Sequence, residues 1–262
     1  MRSIENVEPC RFCGSPRLSR WRSASLLRCG SCRTIVRRPV PDQHSLDQLY
    51  SAGWKQPSAN RGATGGTDER LAALYARRLA DCLGMTRFAG NRILDFGAGN
   101  GYFAQQLSDL GARVTCVDPF ACERLRKAGL DAYRSESDIP ADRRFDGIVT
   151  VDVLEHLPDP WHDIESLRSR LAPEGWLFAA APNFSGLSSL VLGAKWAQAR
   201  NPGHLVCFTP ETLRRALREG GFRSIRRLNW KIPYSNRIHT RALHWTLEVL
   251  GLAGELRFLA RT

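Results

Sequence analysis

The residues best able to do chemistry form a short block. An apolar run from Arg92 closes on Asp95 and leads into Phe96-Gly97-Ala98-Gly99-Asn100-Gly101. About one βα unit later a second apolar run, Val114-Thr115-Cys116-Val117, closes on Asp118-Pro119. Glycine lets a ligand approach the backbone with no Cβ in the way and tolerates the positive φ of a tight strand-to-helix turn. An acid ending the second strand can accept from both hydroxyls of a ribose, each charge-assisted bond contributing roughly 1.5–3 kcal/mol. The block therefore reads as a nucleotide site, and its alternative is a structural glycine turn in some other α/β protein.

The letters between the glycines narrow the nucleotide. A dinucleotide fingerprint places its third glycine where this chain has Tyr102, and no Gly-x4-Gly-Lys-Ser/Thr phosphate loop occurs. Asp-x-Gly-x-Gly-x-Gly resembles motif I of the class I S-adenosylmethionine (SAM) methyltransferases. The resemblance implies that Asp95 faces the ammonium of the cofactor. Phe96, Gly97, Ala98 and Gly99 then belong to the cofactor-binding set with Asp118, Pro119 and Asp152.

Methyl transfer from a sulfonium is an in-line displacement whose electrophile belongs to the cofactor. The protein must align the acceptor and remove its proton. Two segments could do so. Asp152-Val153-Leu154-Glu155-His156-Leu157-Pro158-Asp159-Pro160 follows an apolar run ending at Val151, and ligands of open α/β sheets bind at the carboxyl ends of strands. It resembles the corresponding loop of the ubiquinone-biosynthesis O-methyltransferases, where Glu-x2-Glu-His goes with a divalent cation. Here the first acid is Asp152, one methylene shorter. His156 is thus a base or acceptor-orienting group, half of a structural pair with Glu155, or part of a Mg²⁺ site. The second segment is Gly203-His204 through Phe208-Thr209-Pro210, which looks like the piece before the sixth strand in the same group. Thr209 and Pro210 have structural explanations as N-cap and first helical residue. His204 is read either as facing the acceptor or as a structural histidine. Residues 184 to 200 form an apolar insertion that could cover the acceptor, with Trp54, Tyr75, Phe184 and Trp196 as candidate walls or, equally, core residues, Tyr75 standing at helical spacing with Leu71, Leu74 and Leu79.

The remaining chemistry is in the cysteines. Cys10-x2-Cys13 and Cys29-x2-Cys32 match zinc-ribbon spacing, with Gly14 and Gly30 expected to supply the sharp turns. Structural zinc is favoured over two disulfides. Cys82, Cys116, Cys122 and Cys207 lie among apolar neighbours and read as core or incidental thiols.

These residues need a scaffold. Short apolar runs alternate with helical periods from residue 91 onward, the pattern of a parallel sheet with crossover helices. Strands are expected at Arg92–Phe96, Arg113–Asp118, Ala132–Ser135, Phe145–Val151, Gly175–Ala181, Phe222–Trp230 and Glu255–Arg261. Helices are expected near 69–83, 102–110, 121–129, 161–171, 210–219 and 238–250, with a short helical piece at Leu46–Tyr50 and a cap at Thr67 or Asp68. The fold class is α/β: a seven-stranded Rossmann-like sheet, whose strand order the methyltransferase resemblance supplies, plus a small zinc ribbon. The expected division is 1–40 ribbon, 41–90 linker and helical cap, 91–262 SAM-binding domain.

The 262 residues are 43% hydrophobic and 24% charged, as in an ordinary soluble protein. No apolar run approaches the ~20 residues of a membrane span, and the first residues lack a signal-peptide core, so a cytoplasmic location is expected. The net charge of +12 is concentrated at the two ends and nearly all of it is Arg. Three function classes follow. The first is a methyltransferase acting on a small molecule, at a hydroxyl of a sugar, polyketide or phenolic metabolite. The second is an RNA base methyltransferase, as in a ribosomal RNA guanine methyltransferase family that also carries a zinc module, with Arg11, Arg17, Arg20, Arg22, Arg28, Arg33, Arg37 and Arg38 on phosphates. The third is a non-catalytic SAM-binding adaptor.

Overall fold

The structure is a computed structural model that describes residues 8–55, 69–230, 246–247 and 249–262. Near the N-terminus, β1 (Leu18–Trp21), β2 (Ser23–Cys29) and β3 (Ile35–Arg37) form an antiparallel meander. Helices α1 (Gln43–Lys55) and α2 (Glu69–Leu83) follow. Then come β4 (Arg92–Phe96), α3 (Tyr102–Asp109), β5 (Arg113–Val117), α4 (Cys122–Lys127), β6 (Asp131–Tyr133), β7 (Phe145–Val151), α5 (Pro160–Ser169) and β8 (Leu171–Pro182). The chain continues through α6 (Leu187–Leu192), α7 (Ala197–Arg200), β9 (Val206–Cys207), α8 (Pro210–Glu219), β10 (Ser224–Arg227) and β11 (Glu255–Arg261).

Seven strands make the main sheet in the order β6-β5-β4-β7-β8-β11-β10. The first five are parallel, and β11 runs antiparallel between β8 and β10. The expected Rossmann-like methyltransferase sheet is therefore present. Alternation along each strand builds two core layers. Ile93 of β4 joins Tyr75, Leu79, Phe103 and Leu107 on the side of α2 and α3, while Leu94 joins Ile164, Leu167, Leu213 and Leu217 on the side of α5 and α8. β8 does the same, with Trp176, Phe178 and Ala180 in one layer and Leu177, Ala179 and Ala181 in the other. Gly147 lies opposite Trp176, where a Cβ would stand 2.1 Å from the indole, so this strand position has room only for glycine.

Boundaries differ from expectation where tertiary packing decides them. Helix α5 ends at Ser169, and buried Leu171 already pairs with Phe145. β8 thus starts before Gly175 and absorbs an irregularity in which Glu174 has φ 62°. The run 222–230 gives only β10, because Phe222, Leu228 and Trp230 are buried without extending the ladder. The helical piece at Leu46–Tyr50 extends to the whole of α1. Thr67, Asp68 and most of the helix expected at 238–250 lie outside the described residues, within which 246, 247 and 249 are helical.

A second sheet, β1-β2-β3-β9, joins the N-terminal meander to the main body. Ile35 pairs with Cys207 and Val36 with Val206. Phe12 and Trp161 rings lie 4.2 Å apart, and Arg215 of α8 donates to the Cys32 carbonyl at 2.7 Å and to Thr34 Oγ1 at 2.9 Å. Among the described residues no helix is long and apolar enough to cross a membrane.

Candidate active site

At the carboxyl ends of β4 and β5 the glycine block makes the turn its composition requires. Gly97, Gly99 and Gly101 take φ of 81°, 54° and 78°. The Gly97 and Ala98 amides both donate to the Val117 carbonyl, at 2.7 and 3.1 Å, which folds the turn over β5. Asp95, 3% exposed, has Oδ2 without a hydrogen-bond partner. Burial, then the charge of Asp118, pushes its carboxyl up to about 7. A buried unpartnered carboxylate oxygen fits a cationic ligand, which would restore the ionised form. Asp118 accepts from the Gly99 amide at 3.0 Å through Oδ2 and from the Phe120 and Ala121 amides at 2.9 and 2.7 Å through Oδ1. With about four lone-pair sites on a carboxylate, one remains on Oδ2. Pro119 is exposed beside it, and Phe96 is half-buried at the end of β4.

Past β7, Asp152 turns with φ 54°, and Leu154–His156 forms a single 3₁₀ turn. The Asp152 carboxyl is raised by burial and by Glu155 and Glu255, against the opposing charge of Arg257. Glu155 is 1% exposed with both carboxylate oxygens unpartnered. Burial pushes it up to about 8. His156 Nδ1 lies 2.9 Å from the Gly203 carbonyl and 3.0 Å from Tyr50 Oη. A carbonyl can only accept, so Nδ1 carries the hydrogen and Nε2 keeps its lone pair. Burial pulls this imidazole down to about 4. The His204 ring is 4.7 Å from that of His156, buried, with Nδ1 unpartnered. Burial, then His156 and Arg37, holds it well below the usual histidine range. One ligand atom from each of Glu155, His156 and His204 falls within 4.8 Å of the others.

Two expected loops are therefore brought together, and α1 adds a residue that local sequence does not mark. The Tyr50 ring meets His156 edge-on at 5.5 Å and Phe120 at 5.3 Å. Gly203 permits this, since a Cβ there would stand 2.9 Å from Tyr50 Oη and 3.1 Å from His156 Nδ1. The candidate walls divide differently. Tyr75 is a core residue whose hydroxyl donates to the Glu255 carboxylate and accepts from Arg257 at 3.0 Å. Phe184 lies behind His204, with ring centroids 6.4 Å apart, and packs at 5.0 Å on Trp196. Both are buried with Leu26 and Ile35 of the meander and so back the site without opening onto it. The Trp54 side chain lies outside what is described.

The four N-terminal thiols gather into one cluster, with Cys10 and Cys32 Sγ 3.5 Å apart, Cys13 and Cys29 Sγ 3.6 Å apart, and all four within 4.8 Å. Tetrahedral zinc with Zn–S of ~2.3 Å spaces its sulfurs by about 3.8 Å, so the set fits. Gly14 has the expected positive φ of 67°, but in the second knuckle that role falls to Arg33, at φ 60°. Gly30 instead donates its amide to the Arg17 carbonyl at 2.7 Å. The Glu155, His156 and His204 donors suit Mg²⁺ poorly, because Mg²⁺ takes oxygen ligands and two of these three residues are imidazoles.

A family described as the methyltransferase domain matches residues 67–226, which include the glycine turn, the Glu155-His156 loop and His204. The chain belongs to the class I SAM-dependent methyltransferases. This methyltransferase is 32% identical over 157 residues to the ubiquinone biosynthesis O-methyltransferase of Methylobacterium sp. (strain 4-46), covering 54% of this chain and 63% of that protein. Its fold is shared with a SAM-dependent methyltransferase from Archaeoglobus fulgidus, at 19% identity and TM-score 0.55, covering 84% of this chain and 100% of that one. The Burkholderia thailandensis 1,6-didemethyltoxoflavin-N1-methyltransferase has the same fold at 18% identity and TM-score 0.55, covering 91% and 99%.

Proposed function

We propose that this methyltransferase transfers the SAM methyl group to a hydroxyl of a small organic acceptor, a phenolic hydroxyl in preference to one of a sugar or a polyketide. The observation that carries the reading is the orientation of His156, whose Nδ1–H is held by the Gly203 carbonyl and Tyr50 so that Nε2 offers a lone pair. When bound, SAM supplies an electrophilic methyl group. The chain's own residues hold the cofactor and prepare the acceptor.

Asp95 faces the ammonium with its unpartnered oxygen, and Asp118 offers its remaining lone pair to a ribose hydroxyl. Phe96, Gly97, Ala98, Gly99, Pro119 and Asp152 line the rest of the cofactor site, where the glycines admit the ligand to the backbone. His156 accepts the acceptor's proton at Nε2. An imidazole held at about 4 is a weak base, so it suits a phenol near pKa ~10 better than an alcohol several units higher. Glu155, kept protonated near neutral pH by its burial, and His204 stand beside the imidazolium as it forms. No step requires Mg²⁺. In the same reading, Cys10, Cys13, Cys29 and Cys32 hold a structural zinc in a ribbon of residues 1–40, residues 41–90 cap the site, and 91–262 bind SAM. The O-methyltransferase name of the matched relatives agrees with this chemistry.

The test is to incubate purified protein with methyl-labelled SAM, a catechol and phenol panel and a host extract. Label is expected in a phenolic small molecule, with His156→Ala lowering turnover by roughly 100-fold. Label in RNA, or full turnover in both His156→Ala and His204→Ala, overturns the reading.

A further inference from the structure

We infer that the N-terminal ribbon is the scaffold of the acceptor-side histidine, with Arg37 as the positioning residue that latches the His204 segment. Opening the ribbon therefore releases the acceptor half of the site and leaves the cofactor half in place. This inference rests on the reading of His204 as part of that acceptor half.

Arg37 ends β3 and is 6% exposed. Its guanidinium donates to the carbonyls of His204 at 3.0 Å, Ala199 at 3.0 Å and Asn201 at 2.8 Å, and to Ser25 Oγ at 3.1 Å. Three of these four acceptors are backbone oxygens of one short segment, which runs from the end of α7 to His204. A buried guanidinium must have its donors satisfied, so the segment and the side chain fix each other. The backbone adds a second tie. The Arg37 amide donates to the Leu205 carbonyl at 2.9 Å, and the Leu205 amide donates to the Glu155 carbonyl at 2.7 Å. A hydrogen-bonded path thus leads from the ribbon strand through the residue after His204 to Glu155.

The cysteines set the position of this strand. Cys29 ends β2 and Cys32 lies in the turn before β3, so closing the four-thiolate cluster fixes the β2–β3 register, Leu26 opposite Arg37 and Arg28 opposite Ile35. The ribbon's own apolar core is little more than Leu18, Leu27 and Val36 around the cysteines, too small to hold that register unaided. The glycine turn takes its hydrogen bonds from β5, Asp118 and Arg124, and among the described residues none comes from the ribbon. The two halves therefore depend on different parts of the chain.

Amide exchange of the full-length protein, alongside S-adenosylhomocysteine binding and zinc content, tests this. Removing zinc with a chelator, or by Cys13→Ser, is expected to raise exchange across 199–207 by about ten-fold or more together with 8–38, while exchange at 93–101 and S-adenosylhomocysteine affinity change by less than about two-fold. Arg37→Met, or Arg37→Lys if the first does not fold, is expected to keep its zinc, leave 8–38 protected and still loosen 199–205. The His204 ring, now facing His156, Glu155 and Arg37, should then shift its NMR titration toward that of a solvated histidine. Exchange that rises only in 8–38 on zinc removal, protection of 199–207 in a zinc-free chain, or an unchanged His204 signal in the Arg37 variants overturns the inference. Failure of every form to bind S-adenosylhomocysteine would count against the methyltransferase reading, and the exchange data would still decide the latch.

Discussion

His156 and His204 meet edge to face, with ring centroids 4.7 Å apart and planes at 75°. Two imidazolium ions could not share that space, and burial keeps both rings neutral. His156, lowered to about 4 from an unfolded value near ~6.5, contributes stability that is present above pH ~6.5 and is lost as pH falls toward 4. The wild-type advantage over His156→Gln in urea unfolding should therefore shrink by about 2 kcal/mol between pH 7 and 5. A constant difference would contradict a ring that stays neutral in the folded chain.

Glu155 predicts the opposite slope. Its carboxyl is raised to about 8, so its contribution is complete below the ordinary carboxylate range and is lost as pH rises through 8. Denaturation at pH 6 and pH 9 should show wild type losing more stability than Glu155→Gln over that interval. Equal losses would mean that Glu155 is ionised at neutral pH in the folded chain.

Gly97 has positive φ, and a Cβ there would lie 2.2 Å from Val153 Cγ2. Gly97→Ala should displace the Asp152–His156 loop and weaken S-adenosylhomocysteine binding by at least roughly ten-fold, a cost of about 1–3 kcal/mol in backbone strain. Calorimetric titration measures it. Asp95→Asn, which keeps the shape and removes the charge, should weaken SAM binding without unfolding the protein.

Much of this was legible in sequence because the signals are local. The glycine turn needs glycines at 97, 99 and 101, and alternating apolar residues place β4, β7 and β11 at their expected limits. Thr209 and Pro210 begin α8 as a capping residue and first helical residue should. What escaped depends on chain segments far apart. Nothing around Tyr50 marks it as a partner of His156, because the pairing exists only once α1 meets the loop after β7, 106 residues further along the chain. The β3–β9 ladder escaped for the same reason, as a two-residue strand has no periodicity to read. Tyr75, whose helical spacing suited a pocket wall as well as a core, was settled by the Glu255–Arg257 pair beneath it.

Tyr50→Phe removes the second acceptor from His156 Nδ1–H and leaves the Gly203 carbonyl to hold the tautomer alone. Turnover should fall by about ten-fold with cofactor affinity unchanged, since the loss is in alignment of the base. Steady-state kinetics with the acceptor that the labelling experiment identifies would show it, and an unaltered rate would remove Tyr50 from the machinery.

The Tyr50 ring touches Phe120, beside the cofactor turn, as well as His156 on the acceptor side. On the proposed assignment of the two sites, this one side chain is a party wall between two ligands. Any ligand that moves Phe120 also changes what the second ligand meets, and thermodynamic reciprocity makes the effect equal in both directions. Affinities for acceptors measured on the cofactor-free enzyme will accordingly not equal those that govern turnover, and an inhibitor screen run without S-adenosylhomocysteine would rank compounds against the wrong surface.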